Sequence, residues 1–320
     1  MQVPVIVGVD VARAELVAAR EESVSAVQHI RNDVDPIHDW LQTLAPRSIV
    51  AMESSGRYHR LLAELAHAAG MCVYVLNARD VHLYGRAIRA RGKTDRLDAG
   101  VIVRYVRENR DDLRPWEPPH GVSQTLRQLL DQRVALTQHR VAMRQGLGKV
   151  PAAKEAARTL ELAYVQAFDL IDRQLQSLVQ AEPELDAGVQ RLETITGFGM
   201  QASVRLAALF TNIKFANANA VVAYSGLDPR PNDSGDHHGR RRLTKRGPAA
   251  LRRQLYLAAF AACHSKVFGP IYRHLRQRGF ASTQALVILA RKLLRLAWAI
   301  WKSGQPFDPS KVRLPACAET

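Results

Sequence analysis

Two aspartates three residues apart, Asp95 and Asp98, open an apolar-periodic segment that runs from Lys93 to Tyr105. On a helix, residues at this spacing share one face. Carboxylate oxygens are ligands that Mg²⁺ prefers, and basic neighbours attract phosphate, so the pair is a candidate for holding divalent metal against a phosphodiester. Two structural alternatives remain open: such a pair also occurs on solvated helix faces, and Asp95 could charge or cap the helix N-terminus.

Two further acids follow segments with strand character. Asp10 comes after a β-branched run over residues 3–9, and Glu53 comes directly after the apolar run 48–52. We expect both carboxylates at the carboxyl ends of central strands, where an α/β sheet places its chemistry. With the Asp95 and Asp98 pair they could bind two metal ions that clamp the attacking and leaving oxygens of a phosphodiester. Alone, an acid at a strand end is more often a turn or cap residue.

A polar loop rich in Gly and Pro, residues 224–247, is the second stretch that could carry chemistry. Ser234 precedes Gly235, a combination that permits an exposed hydroxyl on a tight turn, although a Ser-Gly pair alone is usually just a turn. His237 and His238 could assist proton transfer or be merely exposed, and they lack partners at zinc-ligand spacing. Five basic residues after the serine could neutralise an attacked phosphate: Arg240, Arg241, Arg242, Lys245 and Arg246.

A third stretch, Leu192 to Ala202, places Gly197 and Gly199 between two helical segments. This pattern is typical of a helix-hairpin-helix, in which the glycines free backbone N–H groups at a helix N-terminus to meet a phosphate. A simple glycine turn between two core helices is the alternative.

The segments around these residues predict three parts. Strand patterns at 3–9, 16–19, 24–27, 48–52 and 72–76 alternate later with helical patterns, which favours an α/β domain with a mixed sheet, closed by the prolines at 115–119. Residues 123–182 read as two long helices that could pair as a hairpin or with another subunit as a coiled coil, and self-association is our preference. The remainder is predicted to be mostly helical.

Charge points to a polyanionic partner. The chain has 320 residues and a formal net charge of +15. Residues 1–190 hold 24 Lys and Arg against 24 Asp and Glu, whereas residues 191–320 hold 21 against 6. Nucleic acid is the most plausible partner, because basic surface gains affinity from the release of counterions along a phosphate backbone. The three cysteines, Cys72, Cys263 and Cys317, have no metal-ligand spacing, and we expect no leader or membrane span and a reducing cytoplasm.

Taken together, these motifs resemble the DEDD-type transposases of the family named for insertion sequence 110, which includes the pilin-gene invertase. The resemblance runs over nearly the whole length. It is carried by the segments Gly8-Val-Asp10-Val, Met52-Glu-Ser-Ser-Gly-Arg-Tyr58, Lys93-Thr-Asp-Arg-Leu-Asp-Ala99, Ile195-Thr-Gly-Phe-Gly199, Tyr224-Ser-Gly-Leu-Asp-Pro-Arg230, Ser234-Gly and Arg242-Leu-Thr-Lys-Arg-Gly247. The Asp236-His-His238 segment departs from the family tract, which is usually richer in Arg.

The resemblance implies an α/β RuvC-like (ribonuclease H) catalytic domain at 1–114, a helical coiled-coil connector at 120–187, and a mostly α carboxy-terminal transposase domain at 190–320. It implies that Asp10, Glu53, Asp95 and Asp98 bind Mg²⁺ and that Ser234 is the nucleophile. The implied partners are donor and target DNA, an element-encoded bridge RNA, and further copies of the chain in a dimer or tetramer. Such an enzyme would be cytoplasmic, and nucleoid-associated when on DNA.

Two rival functions remain. In a metal-dependent nuclease of the Holliday-junction type, the four acids would cut DNA by water attack and Ser234 would only be a turn residue. In a non-catalytic nucleic-acid-binding protein, the acids would be structural. Because the sequence lacks a Gly-x-x-x-x-Gly-Lys-Ser/Thr phosphate loop, no nucleotide-driven step is expected in any of the three.

Overall fold

The computed structural model describes residues 5–54, 56, 58–88, 95–118, 121–230, 233–234, 237–238 and 242–312, of which 24–25, 95–97, 233–234 and 237–238 are described by their backbone alone. The chain forms two compact units, Met1–Pro118 and Pro119–Thr320. The division falls in the proline-containing segment that the sequence indicates as the end of the α/β domain.

The first unit is built on a five-stranded mixed sheet, as predicted. The strand order is β3-β2-β1-β4-β5. The strands are β1 (Ile6–Val11), β2 (Glu15–Arg20), β3 (Ser23–Arg31), β4 (Ile49–Glu53) and β5 (Cys72–Leu76). The first three pair antiparallel, whereas β1, β4 and β5 run parallel. This topology is compatible with a ribonuclease H-like domain.

Both faces of the sheet are covered, and alternate residues of the central strands divide between them. Val9 and Met52 pack in one cluster with Trp40 and Leu62 from two helices on that side. Those helices are α1 (Val34–Gln42) and α2 (His59–Ala68). The other face packs against α3 (Ala78–Ala87) and α4 (Asp95–Asn109), which contribute Val81, Ile102 and Val106 to a second cluster.

Helix α4 approaches the sheet most closely at Gly8 of β1. A Cβ atom added to Gly8 would lie 2.8 Å from the backbone nitrogen of Val103 and closer still to the carbonyl oxygen of Ala99. No side chain fits at this point, because its contacts are with main-chain atoms that cannot rotate away. The glycine therefore allows the backbone of α4 to rest directly on the central strand.

The second unit begins with a helical hairpin made of α5 (Val122–Gly146) and α6 (Lys154–Gln180), joined by two 3₁₀ turns. Arg133 binds Asp172 with two hydrogen bonds of 2.6 and 2.8 Å. Arg140 and Arg144 both donate to Glu161, and these bonds lower the pKa of its carboxyl to about 2. The two predicted long helices therefore pair with each other within one chain, while a coiled coil between subunits stays a prediction.

The inner end of the hairpin enters a helical core. Leu126 and Leu175 are fully buried there with residues from six further helices. These helices are α7 (Pro183–Glu193), α8 (Met200–Asn212), α9 (Ala218–Ser225), α10 (Ala249–Ala262), α11 (Gly269–Gln277) and α12 (Ser282–Ser303). The α12 helix contacts each of the other five. The predicted boundary between connector and carboxy-terminal domain, at 187–190, falls inside α7, and that division of the second unit stays a prediction.

The apolar stretch at 286–301 forms most of α12 and is amphipathic, as predicted. Leu289, Leu293 and Leu294 are fully buried, whereas Arg295 is exposed and donates to the side chain of Asn219. In the described part of the chain, no helix combines the length and the apolar character that a membrane crossing requires.

Replacing Gly8 by Ala tests the contact between β1 and α4. We expect Gly8→Ala to lower the free energy of unfolding of the protein by about 1–3 kcal/mol, because overpacking against backbone forces the helix away from the sheet. Urea unfolding followed by circular dichroism would measure the loss. Gly85→Ala is the matched control, since its Cβ would make an ordinary 3.4 Å contact with Val101 on the same helix α4. Gly85→Ala should leave the free energy of unfolding unchanged or raise it slightly. Equal effects at both positions would contradict a special requirement for glycine at position 8.

Candidate active site

The sheet places Asp10 and Glu53 side by side. Gly8 is paired with Ala51 and Val9 with Met52 in the parallel β1–β4 ladder. The next position in this register pairs Asp10 with Glu53, the last residue of β4. Because side chains alternate along a strand, both carboxylates belong to the face that carries Gly8 and Ala51, which is the face covered by α4. Both are partly exposed at the end of the apolar strands.

Asp98 is brought to this region by α4. It immediately precedes Ala99, whose carbonyl oxygen contacts Gly8 two residues before Asp10. Asp98 is partly exposed, and the helix begins at Asp95, whose side chain is outside the described set. Among the side chains that the structure describes, no three from His, Cys, Asp and Glu lie close enough to hold one metal ion together. The elements that carry Asp10, Glu53 and Asp98 are therefore in contact on one face of the sheet, and metal binding by these acids stays a prediction.

Ser234 lies in one of two short strand pairs that the polar loop forms. The inner strands are β7 (Asp233–Ser234) and β8 (His237–His238), with Ser234 paired to His237 and Asp233 to His238. The outer strands are β6 (Pro229–Arg230) and β9 (Arg242–Leu243), with Pro229 paired to Leu243. We refer to these four nested strands as the serine arm.

The serine arm is held at its base by contacts between backbone atoms. Gly226 follows α9 with a φ of +68°, and a Cβ on it would lie 2.7 Å from the backbone nitrogen of Gly247. The Lys245 N–H donates to the Gly226 carbonyl at 3.1 Å, and the Thr244 N–H donates to the Asp228 carbonyl at 3.0 Å. The Thr244 hydroxyl also donates to the Asp228 carboxylate. The two stems therefore leave the helical core locked together.

Comparison with known proteins identifies the family. A transposase family model matches residues 7–150, and the model of the Transposase IS116/IS110/IS902 family matches residues 189–273. The chain belongs to the IS110 family of transposases. The resemblance noted from the sequence is thereby confirmed, and the protein is an enzyme that recombines DNA.

Individual relatives cover most of this transposase. It is 27% identical to the pilin gene-inverting protein of Moraxella bovis over 80% of its own length and 81% of that protein. It is 25% identical to the 44.8 kDa protein of insertion element IS116 from Streptomyces clavuligerus, over 95% of this chain and 96% of the relative. The 42 kDa protein of insertion element IS900 from Mycobacterium paratuberculosis is 24% identical over 97% and 98%.

The two family matches divide the candidate residues of the transposase between them. The first covers Asp10, Glu53, Asp95 and Asp98, and the second covers the serine arm and both glycines of the α7–α8 turn. Arg242, Lys245 and Arg246 are exposed beside the arm, so they are accessible to a polyanion. Arg240 and Arg241 lie outside the described residues. Phosphate neutralisation by these five residues stays a prediction.

A turn that contains Gly197 and Gly199 joins α7 to α8, as both the predicted helix-hairpin-helix and its alternative, a simple glycine turn, require. Gly197 has a φ of +97°, and a Cβ there would lie 2.6 Å from the carbonyl oxygen of Ala258 in α10. Packing against α10 is therefore sufficient to require this glycine. Gly199 is the exposed N-cap of α8. Binding of phosphate at this turn stays a prediction.

Sequence reasoning did not identify the base of the serine arm as a structural feature. The signal was present, since Gly226 and Gly247 border the polar loop on both sides. It could not be interpreted because the close approach joins two segments that are far apart in the sequence.

Proposed function

We propose that this transposase cuts and rejoins DNA through a covalent link to Ser234, with four acids holding Mg²⁺ beside the scissile phosphate. The acids are Asp10, Glu53, Asp95 and Asp98. The observation that carries the proposal is the β1–β4 register, which sets Asp10 beside Glu53 on the sheet face where α4 delivers Asp98.

The donor set suits Mg²⁺. All four candidate ligands are carboxylates, and hard oxygen ligands favour this ion over transition metals. Asp10 and Glu53 are partly exposed near the carboxyl ends of two apolar central strands, and Asp98 is partly exposed near the start of α4, so all three are accessible to an ion or a substrate. When bound, Mg²⁺ supplies positive charge to the oxygens of the attacked phosphodiester.

Bond exchange at Ser234 requires no external energy. The Ser234 oxygen forms a bond to phosphorus, and the bond from phosphorus to the leaving strand breaks, with the leaving oxygen taking up a proton. A hydroxyl on the strand to be joined then attacks the phosphoserine and releases the serine. One phosphodiester is lost and one is made, so the covalent intermediate conserves its energy.

The proton of the serine hydroxyl needs an acceptor. The sequence leaves His237 and His238 open for this role. In the serine arm, Ser234 is paired with His237, whereas His238 is paired with Asp233. This register favours His237 as the residue that receives and returns the proton.

We assign the partners from the exposed basic residues and from the family resemblance. Exposed Arg242, Lys245 and Arg246 supply positive charge beside the arm, and we assign them to the phosphates of donor and target DNA.

We further propose that an element-encoded bridge RNA selects the sites by base pairing, as the family resemblance implies. A structured non-coding stretch beside the gene, with loops complementary to element ends and insertion site, is the observation that tests this. Flanking DNA without such a stretch would contradict it.

Self-association is proposed through the α5–α6 hairpin. The hairpin exposes several large apolar residues, among which Leu162 and Leu170 are 59% and 60% exposed. The others are Val141, Val150, Leu160 and Val165. A second copy of the hairpin would cover this surface, and a dimer could bring the acids of one copy to the serine arm of another.

Charged substitutions on the hairpin test this interface. We expect the double variant Leu162→Glu, Leu170→Glu to convert the protein from an oligomer to a monomer, because burying two carboxylates in an apolar interface is costly. Sedimentation velocity would measure the change. The double variant Gln277→Glu, Gln305→Glu adds the same charge at exposed positions outside the hairpin and should remain oligomeric. A wild-type protein that is monomeric at micromolar concentration would contradict the proposal.

Neutralising one acid tests the metal site. We expect Asp98→Asn to reduce Mg²⁺-dependent DNA cleavage by about 100-fold or more, while affinity for DNA, measured by gel shift, stays unchanged. Asp112→Asn removes the same charge from an exposed position of the first unit and should cleave normally. Normal cleavage by Asp98→Asn would contradict its role as a ligand. Loss of DNA binding in parallel with cleavage would favour a structural role.

Removing the hydroxyl tests the nucleophile. Ser234→Ala is expected to abolish both strand exchange and the protease-resistant adduct between protein and DNA, because no other group would form the phosphoester. Denaturing gels with end-labelled DNA would show the adduct. The control Ser177→Ala removes an exposed hydroxyl from α6 and should leave both unchanged. Continued cleavage by Ser234→Ala would instead identify a nuclease that uses water.

A further inference from the structure

Arg252, near the start of α10, joins the two chain segments that carry the serine arm. Its Nη1 atom donates to the carbonyl of Ser225 at 3.3 Å and also to the carbonyl of Gly247. Ser225 is the last residue of α9, before the arm, and Gly247 follows the arm. A single guanidinium therefore bridges the point where the chain enters the arm and the point where it leaves.

The environment of Arg252 is unusual for a residue that only adds stability. The side chain is partly buried, and this burial lowers its pKa. Among the described residues it forms no ion pair with a carboxylate, and its hydrogen bonds go to carbonyl oxygens. Both hydrogen bonds come from one nitrogen, Nη1, whose position is fixed by the planar guanidinium, whereas a lysine ammonium is carried on a flexible stem. The charge is thus used to fix two backbone positions.

The contacts continue from this bridge towards Ser234. Next to it lie the Gly226–Gly247 backbone contact and the tie between Thr244 and Asp228, and beyond these lie the paired strands β6–β9 and β7–β8. Ser234 is eight residues beyond Gly226, a distance of at most about 26 Å at the rise of an extended strand. Over such a length, a tilt of a few degrees at the base displaces the far end by an ångström or more.

We propose that Arg252 is a positioning residue: it sets the angle of the serine arm and thereby the approach of Ser234 to the scissile phosphate. This rests on the proposed role of Ser234 as the nucleophile. Misplacement of a reacting atom by about 1 Å can cost about 100-fold in rate, so loss of the bridge should slow formation of the adduct far more than it weakens DNA binding.

The rate test uses full-length protein, Arg252→Ala, Arg252→Lys and the matched control Arg253→Ala, whose side chain is exposed at the next position. Single-turnover adduct formation is measured at saturating DNA, at a temperature where circular dichroism shows all variants folded. We expect Arg252→Ala to be roughly 10- to 100-fold slower, Arg252→Lys intermediate, and Arg253→Ala within twofold of wild type. Guanidinium chloride at millimolar concentration should restore part of the rate to Arg252→Ala, whereas equal sodium chloride should not.

Hydrogen exchange provides a readout that does not depend on catalysis. The amides of Thr244 and Lys245 should exchange faster in Arg252→Ala than in Arg253→Ala, with core amides of α12 unchanged. A rate for Arg252→Ala within twofold of Arg253→Ala would overturn the proposal. So would a slower rate with no faster exchange at these amides, or with no recovery in guanidinium. If Ser234→Ala still recombines DNA, the proposed nucleophile fails, while the exchange result still decides whether Arg252 holds the arm.

Discussion

The contact between Gly8 and α4 fixes how the helix that carries Asp98 lies on the central strand that ends near Asp10. The helix can rest on the central strand only because its Ala99 carbonyl and Val103 nitrogen face a residue without a side chain. The positions of Asp98 and Asp10 then follow from their spacing along the helix and the strand. Asp98 is one residue from the contact on the helix, and Asp10 is two residues from it on the strand. The apolar clusters on both faces of the sheet stabilise this arrangement, but they do not determine which residues of α4 contact β1.

In the second unit, the candidate nucleophile Ser234 lies in the serine arm and not in the helical core, so other contacts must hold it in place. Its helices pack around α12, and the arm leaves this core between α9 and α10. Leu243 of the arm packs against the helical core. Backbone contacts and the hydrogen bonds of Arg252 add to this packing at the base of the arm. The same unit carries most of the positive charge that would meet DNA.

Much of the fold was predictable from local pattern. Strand β5 has the predicted bounds, and the described part of the apolar-periodic segment that ends at Tyr105 lies in α4. The pairing of α5 with α6 could not be chosen from sequence, because their apolar pattern suits a hairpin and a coiled coil equally. The hydrogen bond between Arg133 and Asp172, which are 39 residues apart, joins α5 to α6 as a hairpin. The four acids and Ser234 were found by residue type and family motif, whereas the Gly226–Gly247 contact depends on a long-range approach that no local pattern encodes.

The construction of the serine arm has a consequence for how its sequence can change. Its anchorage uses main-chain atoms, two glycines, the hydrogen bonds between Thr244 and Asp228, and Arg252, all within residues 225–228, 244–247 and 252. Substitutions between these two stems leave the anchorage intact, because they alter no atom in it. Residues there other than those with proposed chemical roles, such as Ser234 and His237, can therefore change without loosening the base. The residues of the base, in contrast, are restricted both by close backbone contacts and by hydrogen bonds.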